Sequence, residues 1–255
     1  MLYVFDVDGT LSFNGVEIDS EIVNAIKQLA KHNEIIFASA RPIRDLIPIV
    51  PTFKNHILIG ANGALVSKNG HIYSIKPISN CDIQLTKNII KKYDLNYIID
   101  SNWDYSAKVS ALNPIFKQLD PDQLAENVAI SSIKKAVKII LLDVNNDLID
   151  KISAFIKQNT SLSVIKHTDE NNIDLTAQNI NKFSTLRTIT DSNYIAFGND
   201  SNDQELLVNA FKSNWVDDGS NKLNRMNLQP DQIVLNSNDE VAKLIQSYTN
   251  DDNLK

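Results

Sequence analysis

The stretch Leu2-Tyr3-Val4-Phe5-Asp6-Val7-Asp8-Gly9-Thr10 decides the fold of this chain of 255 residues. Its first part, Leu2 to Phe5, is apolar and rich in strand-forming residues, and it stops at a cluster of aspartates, glycine and threonine. A short apolar run that ends in a turn is typical of a buried strand in a parallel sheet. The sequence therefore predicts a buried strand with Asp6 and Asp8 at its carboxyl end.

The segments after this strand predict a parallel α/β sheet. Asp19 or Ser20 can cap a helix, because apolar residues recur after them at spacings of three and four. A second apolar run, Ile35 to Ala38, ends at Ser39-Ala40-Arg41-Pro42, where the proline suits the start of another helix. Strand, helix and strand in this order indicate an α/β fold with parallel strands.

This order of strands and helices is interrupted in the middle of the chain. A hairpin is predicted around Asn69-Gly70, the dipeptide favoured in a type I′ turn. From about Pro77 short helix-like and strand-like pieces alternate. After Asp174 the strand and helix pattern of the first part of the chain returns. We therefore expect a core domain of residues 1–76 and 177–255 and an inserted α/β domain of residues 77–176.

Composition narrows the classes of partner. The net charge of -6 and the pI near 5.2 argue against a nucleic-acid binder, whose affinity rests on a basic surface. No run of about 18 apolar residues is present, and Met1 to Phe5 lacks the basic segment of a signal peptide, so we expect no membrane partner and a cytoplasmic location. The single cysteine, Cys81, permits no internal disulfide.

Asp6 and Asp8 are candidate catalytic residues. Two carboxylates held close together repel, so one gains a proton more readily than the other. One could then attack a substrate while the other transfers a proton. Two other interpretations are a solvated acidic turn and a calcium loop, but the calcium loop requires glycine where the chain has Leu11.

Asp6-Val7-Asp8-Gly9-Thr10-Leu11 after an apolar strand resembles motif I of the haloacid dehalogenase superfamily. Further matches follow in the family's order and span nearly the whole chain: Ser39, Arg41-Pro42, Asn62-Gly63-Ala64, Lys182 and Gly198 to Asp203. Together they resemble the Cof-like group with a type IIB cap. The resemblance implies a Rossmann-like parallel-sheet core with an inserted C2-type cap.

The resemblance also implies a function and a set of site residues. It implies a Mg²⁺-dependent phosphatase of small phosphorylated metabolites, sugar phosphates or related compounds, that forms an aspartyl-phosphate. It assigns Asp6 as nucleophile and Asp8 as general acid and base. Phosphate would be bound by Ser39, Arg41, Lys182 and Asn202, Mg²⁺ by Asp6, Asp8, Asn199 and Asp203, and substrate by Asn62.

The chain departs from the family pattern at Asn199, where an aspartate usually ligates the metal. A neutral amide oxygen replaces an anionic one, so we expect weaker Mg²⁺ binding unless Asp200 or Asp203 compensates. Ala40 and Phe183 also stand where glycine is common, but neither change removes a reactive group.

Two alternative functions stay open. A phosphomannomutase-like phosphotransferase resembles the same core and cap, but it would need phosphate-binding arginines in the cap, and residues 77–176 contain none. A catalytically weak phosphate-binding or sensor protein is motivated by Asn199. Within the expected cap, the polar and aromatic candidates for substrate contact are Trp103, Asp104, Tyr105 and Lys108.

Overall fold

Two sheets organise the chain, and the computed structural model describes residues 1–167 and 171–249. The first sheet has eight strands in the order β13-β12-β11-β1-β2-β3-β4-β5, with β1 near its centre. These strands are β1 Leu2–Asp6, β2 Glu34–Ala38, β3 Ile57–Gly60, β4 Leu65–Lys68, β5 His71–Ser74, β11 Tyr194–Gly198, β12 Lys212–Asp217 and β13 Gln232–Leu235. All pairs are parallel except β3 with β4 and β4 with β5, so the expected α/β fold with a parallel sheet is confirmed.

Helices cover both faces of this sheet. The α-helices of the described residues are α1 Ser20–Leu29, α2 Ile43–Leu46, α3 Asn80–Tyr93, α4 Asn146–Asn159, α5 Lys182–Ile189, α6 Gln204–Val208, α7 Lys222–Met226 and α8 Asn238–Thr249, of which α3 and α4 belong to the insertion. The α1 and α8 helices pack on the face that carries Tyr3 and Phe5, and α5 and α6 pack on the face that carries Leu2 and Val4. None of the helices in residues 1–167 and 171–249 is long and apolar enough to cross a membrane.

Local sequence signals explain where these elements begin and end. The Asp19 carboxylate accepts a hydrogen bond from the backbone N–H of Glu21, so it caps α1 as expected. Asn69 and Gly70 both have positive φ, at 53° and 75°, which is the backbone of a type I′ turn between β4 and β5. The predicted hairpin is therefore confirmed.

The second sheet is antiparallel and lies in the insertion. Its order is β7-β6-β8-β10-β9, formed by β6 Asn96–Asp100, β7 Tyr105–Lys108, β8 Lys138–Leu142, β9 Leu162–His167 and β10 Asn172–Ala177. Helices α3 and α4 pack on one face against apolar residues such as Ile139 and Leu175. Because side chains alternate along a strand, Lys138 and Asp174 lie on the opposite face, which points toward the carboxyl ends of the parallel strands.

Arg44 joins the two domains. Its side chain is buried, and its guanidinium pairs with Asp45 of the core at 2.7 Å and with Asp100 of the insertion at 2.9 Å. It also donates to the Trp103 carbonyl and stacks on the Tyr105 ring. Breaking such a buried network leaves charges without partners, so it resists separation of the domains at this point.

Candidate active site

Asp6 lies at the carboxyl end of the central strand β1 and is buried. Its Oδ1 accepts a hydrogen bond from Lys182 Nζ at 2.5 Å, and its Oδ2 accepts one from Thr10 Oγ1 at 2.7 Å. Open α/β sheets bind ligands at the carboxyl ends of their strands. Asp6 is therefore a buried carboxylate of fixed orientation at the edge of the sheet where ligands bind in such folds.

The electrostatics around Asp6 are set by three buried charges. Lys182 Nζ also donates to Asp203 Oδ1 at 2.7 Å, so one ammonium lies between two carboxylates. Burial, together with the charge of Asp203, raises the pKa of Asp6 to about 7, although Lys182 opposes this rise. Burial alone would lower the pKa of Lys182, but the two carboxylates raise it above its ordinary value. Lys182 therefore stays charged.

Lys182 reaches this position from the first residue of α5. The Asn181 side chain caps the helix by accepting from the Ser184 N–H at 2.7 Å. The Thr185 hydroxyl donates to the Gly63 carbonyl at 2.6 Å. Gly63 has φ of 100°, and a Cβ there would lie 2.3 Å from the Asn181 carbonyl oxygen, so only glycine allows this approach.

Asp203 supports the loop that follows β11. Its Oδ2 accepts from the backbone N–H groups of Asn199 at 3.0 Å and Asp200 at 3.2 Å, while its Oδ1 accepts from Lys182. Both oxygens are thus engaged, and in this state Asp203 holds the lysine and the loop. The Asp200 carboxylate turns away, to the N–H of Ser201 and the ammonium of Lys222.

Asn199 faces the oxygens of the two candidate catalytic aspartates. With its NH₂ group inward, the amide donates to the Asp8 carbonyl oxygen at 3.0 Å and to Asp6 Oδ2 at 3.2 Å. Gly9 makes this contact possible, because a Cβ at Gly9 would lie 2.1 Å from the Asn199 amide. Gly9 also has φ of 77°, where glycine is not strained.

The donor set at this point suits a hard cation. No three histidine, cysteine or acidic side chains in the described part of the chain are arranged to hold a metal ion. The inward end of the Asn199 amide nevertheless lies 3.0 Å from the Asp8 carbonyl oxygen and 3.2 Å from Asp6 Oδ2. Adjacent ligands of octahedral Mg²⁺ lie about 3 Å apart, since each lies about 2.1 Å from the ion. With the amide oxygen inward, these three groups therefore fit Mg²⁺.

Asp8 extends from the turn after β1 and is partly exposed. Arg41 Nη2 donates to Asp8 Oδ1 at 2.6 Å, and Arg41 Nε lies 3.0 Å from both carboxylate oxygens. The Ser39 hydroxyl donates to Asp8 Oδ2 at 3.2 Å and accepts from the Arg41 N–H. Two predicted phosphate-binding residues thus contact Asp8, and the fork of Arg41 is a geometry that also matches phosphate.

Asn62 and Asn202 form the side of the site between β3 and β11. Asn202 Nδ2 donates to Asn62 Oδ1 at 3.1 Å. Ala61 and Asn62 both have positive φ, at 52° and 55°, an unfavourable backbone for alanine. Their backbone N–H groups bond to the carbonyls of Arg41 and Ser39, so this loop is fixed against the loop that carries Ser39.

A cavity of about 320 Å³ connects the core site with the inserted domain. Its core wall contains Asp6, Asp8, Arg41, Asn199, Asp200 and Asn202, and its opposite wall contains Ile98, Ile140, Lys138, His167, Asn172 and Asp174. A larger cleft of about 760 Å³ lies beside it, between α1 and the loop before β3, and Arg41 and Gln118 line both.

Sequence analysis missed three polar residues around this site. Thr10, which holds Asp6, belongs to the quoted turn but received no role. Asp174 lies in a strand whose polar and apolar residues alternate, which was a readable signal. Lys138 is followed by four apolar residues, so its strand carried no such signal. The candidates Trp103, Tyr105 and Lys108 do not line the cavity: Trp103 and Tyr105 contact Arg44, and Lys108 pairs with Asp94 at the surface.

Comparisons with known proteins agree with this architecture. A family model described as haloacid dehalogenase-like hydrolase matches residues 3–245. The chain is similar in structure to a haloacid dehalogenase-like hydrolase from Bacteroides thetaiotaomicron, with a TM-score of 0.80, 17% identity, and 97% of this chain and 98% of that chain covered. A second similar structure is a haloacid dehalogenase-like hydrolase from B. subtilis, with a TM-score of 0.78, 17% identity, and 96% and 98% covered.

A third similar structure is a sugar phosphatase of haloacid dehalogenase subclass IIB, with a TM-score of 0.75, 17% identity, and 97% and 98% of the two chains covered. A comparison with curated proteins gives no match. The expected fold, a parallel-sheet core with an inserted cap, is confirmed by these structures. Because the family model spans nearly all of the sequence, the chain belongs to the haloacid dehalogenase-like hydrolase family.

Proposed function

We propose that the chain is a Mg²⁺-dependent phosphatase of small phosphorylated metabolites, sugar phosphates or related compounds, that forms an aspartyl-phosphate on Asp6. The observation that carries this proposal is the buried contact of Asp6 with Lys182, at the end of the central strand and open to the cavity. A fixed carboxylate beside a fixed cation combines a nucleophile with charge stabilisation for the transferred phosphoryl group.

In the first half of the reaction, a carboxylate oxygen of Asp6 attacks phosphorus while the bond from phosphorus to the leaving oxygen breaks. Asp8 gives its proton to that leaving oxygen. Lys182 and the Ser39 hydroxyl stabilise charge on the phosphoryl oxygens, and phosphoryl transfer depends mainly on such positioning and electrostatic stabilisation.

In the second half, water attacks the phosphorus of the aspartyl-phosphate. Asp8 takes a proton from the water, the bond between Asp6 and phosphorus breaks, and inorganic phosphate leaves. Before the first half of the reaction, Asp8 must release Arg41, which donates to both of its oxygens in the free protein, and take up a proton. A substrate phosphate competes for the same guanidinium, so substrate binding frees Asp8 for proton transfer.

The residues that would hold Mg²⁺ are Asp6, Asp8 through its carbonyl oxygen, and Asn199 through its amide oxygen. When bound, the ion would supply neutralisation of the substrate's negative charge. Asp203 would position these residues, because one of its oxygens accepts from Lys182 and the other from the backbone N–H of Asn199.

The test is hydrolysis of p-nitrophenyl phosphate with and without Mg²⁺. Asp6→Asn should abolish turnover, and acid-quenched wild type should carry a phosphoryl group on Asp6 that mass spectrometry detects. The matched control is Asp150→Asn, which changes an exposed carboxylate on α4 and should leave activity unchanged. Full activity in Asp6→Asn, with its folding confirmed by circular dichroism, would refute the mechanism.

A catalytically weak phosphate-binding protein is the second candidate, and Asn199 favours it. Its neutral amide replaces a charged metal ligand, and in the free protein it can bond directly to Asp6 and Asp8. Calorimetric binding of phosphate to wild type without turnover at any Mg²⁺ concentration would select this candidate over the phosphatase.

A further inference from the structure

Lys138 and Asp174 form a buried ion pair in the cap wall of the 320 Å³ cavity. Lys138 Nζ lies 2.9 Å from Asp174 Oδ2, and the two residues are 5% and 9% exposed. His167 Nε2 lies 3.9 Å from the same oxygen at the rim. A buried ion pair costs more desolvation than an apolar pair of similar size, so packing alone does not account for it.

The strand register explains why this pair faces the core site. Asp174 lies opposite Ile140, and Lys138 lies two residues before Ile140 on the same face of β8. Ile98 lies opposite Ile140 on the other side and continues the apolar patch. The cap wall therefore offers hydrogen-bonding groups next to an aliphatic surface.

The described cap residues give this wall no net positive charge. Lys138 is the one ammonium or guanidinium group that the described cap residues contribute to the cavity lining, and Asp174 neutralises it. Asp100 also lines the cavity, but it pairs with Arg44. The described cap wall thus has no unpaired cation for a second phosphate or a carboxylate.

Lys138 also connects the cap to the phosphate end of the site. Its Nζ donates to the carbonyl oxygen of Ala40 at 3.2 Å, and Ala40 lies between Ser39 and Arg41. Lys138 therefore contacts both the leaving-group end of the cavity and the loop proposed to bind the phosphate. The volume of about 320 Å³ lies at the lower end of small-molecule sites, which suits a leaving group of about one sugar unit.

We propose that Lys138 and Asp174 are the specificity-determining residues for the leaving group, and that they select a neutral polyhydroxylated group of monosaccharide size over one with a second anionic group. Hydroxyls of the leaving group donate to the Asp174 carboxylate and accept from the Lys138 ammonium, and its C–H face packs on Ile98 and Ile140. This inference rests on the proposed phosphatase function.

The experiment compares kcat/KM for p-nitrophenyl phosphate with kcat/KM for a panel of phosphate monoesters. The panel contains hexose 6-phosphates, a pentose 5-phosphate, glycerol 3-phosphate and fructose 1,6-bisphosphate. Wild type should prefer a neutral sugar monophosphate to the bisphosphate. The double variant Lys138→Met/Asp174→Asn should lower the ratio of sugar phosphate to p-nitrophenyl phosphate by about tenfold or more, because charge-assisted hydrogen bonds to the sugar are lost.

The double variant removes both charges, so it leaves no buried charge unpaired, and thermal unfolding checks that it folds. The matched control is Lys166→Met/Asp150→Asn, which removes an exposed ion pair of the cap and should leave the ratio unchanged. Preference for the bisphosphate, or a ratio unchanged in the double variant while wild type cleaves p-nitrophenyl phosphate, would overturn this inference alone. Wild type that cleaves none of these esters would overturn the phosphatase proposal as well.

Discussion

Replacing Asp6 by asparagine should stabilise the metal-free protein while it removes activity. Lys182 balances only one of the two carboxylates it contacts, so the buried group of Asp6, Lys182 and Asp203 carries a net negative charge when Asp6 is ionised. Burial, and secondly the charge of Asp203, raise the pKa of Asp6 from its usual 3.8 to about 7. A rise of this size corresponds to about 4 kcal/mol of lost stability, at about 1.4 kcal/mol for each tenfold change.

The sign of the pH dependence follows from the direction of this change. Below pH 3.8 Asp6 is protonated in the folded and unfolded protein, so it costs nothing. As pH rises toward 7, the unfolded protein loses the proton first, and wild type loses stability until the folded protein also ionises. The difference in the free energy of unfolding between Asp6→Asn and wild type should therefore increase by about 2 kcal/mol as the pH rises from 5.5 to 8, as an order of magnitude.

Urea unfolding in EDTA, followed by tryptophan fluorescence at several pH values, measures this difference. Asp8→Asn is the control, since Asp8 is 35% exposed and pairs with Arg41 outside the buried group. If Asp6→Asn is destabilised by the same amount at every pH, the electrostatic reasoning is wrong.

Three further predictions concern the metal and the joint between the domains. Apparent Mg²⁺ affinity, measured by titration calorimetry, should be about tenfold weaker at pH 6 than at pH 8, because the ion must displace the proton held by Asp6; a flat profile would contradict this. Asn199→Asp should tighten Mg²⁺ binding on the order of tenfold in the same assay, because it restores an anionic ligand, whereas Asp200→Asn should have little effect; unchanged affinity in Asn199→Asp would count against the assigned ligand. Arg44→Met should lower the free energy of unfolding by about 3–5 kcal/mol in urea, because Asp45 and Asp100 stay buried without their cation, and equal losses in the exposed control Lys108→Met would refute this.

Sequence reasoning was strongest where local patterns determine structure. The apolar run before Asp6, the cap at Asp19 and the Asn69-Gly70 turn are each set by neighbouring residues, and each was predicted. The assembly of Asp6, Lys182 and Asp203 required more, because these residues are far apart in the chain. Their order along the family's motifs predicted one site, but their contacts follow from the packing of α5 and the β11 loop.

The cap was harder to interpret because its polar residues look alike in sequence. Trp103 and Tyr105 are amphipathic and suggested a binding surface, but at the joint between the domains the Trp103 carbonyl and the Tyr105 ring contact Arg44, and the Trp103 indole donates to the Leu124 carbonyl. Lys138 resembles any solvated lysine until its strand is paired with β10, which sets Asp174 beside it. Non-local strand pairing, and not residue type, decides which polar side chains of this domain line the cavity.

The two connections between core and cap lie side by side, since Lys76 Nζ donates to the Gln178 carbonyl at 3.1 Å. A segment that leaves and re-enters a domain at one point can change in length and sequence without altering the host sheet. With the cap wall in its proposed role, exchange of the whole cap between related chains would change the substrate preference in one step without altering the core site. The same arrangement makes this protein a natural scaffold for grafting a different cap between Lys76 and Gln178.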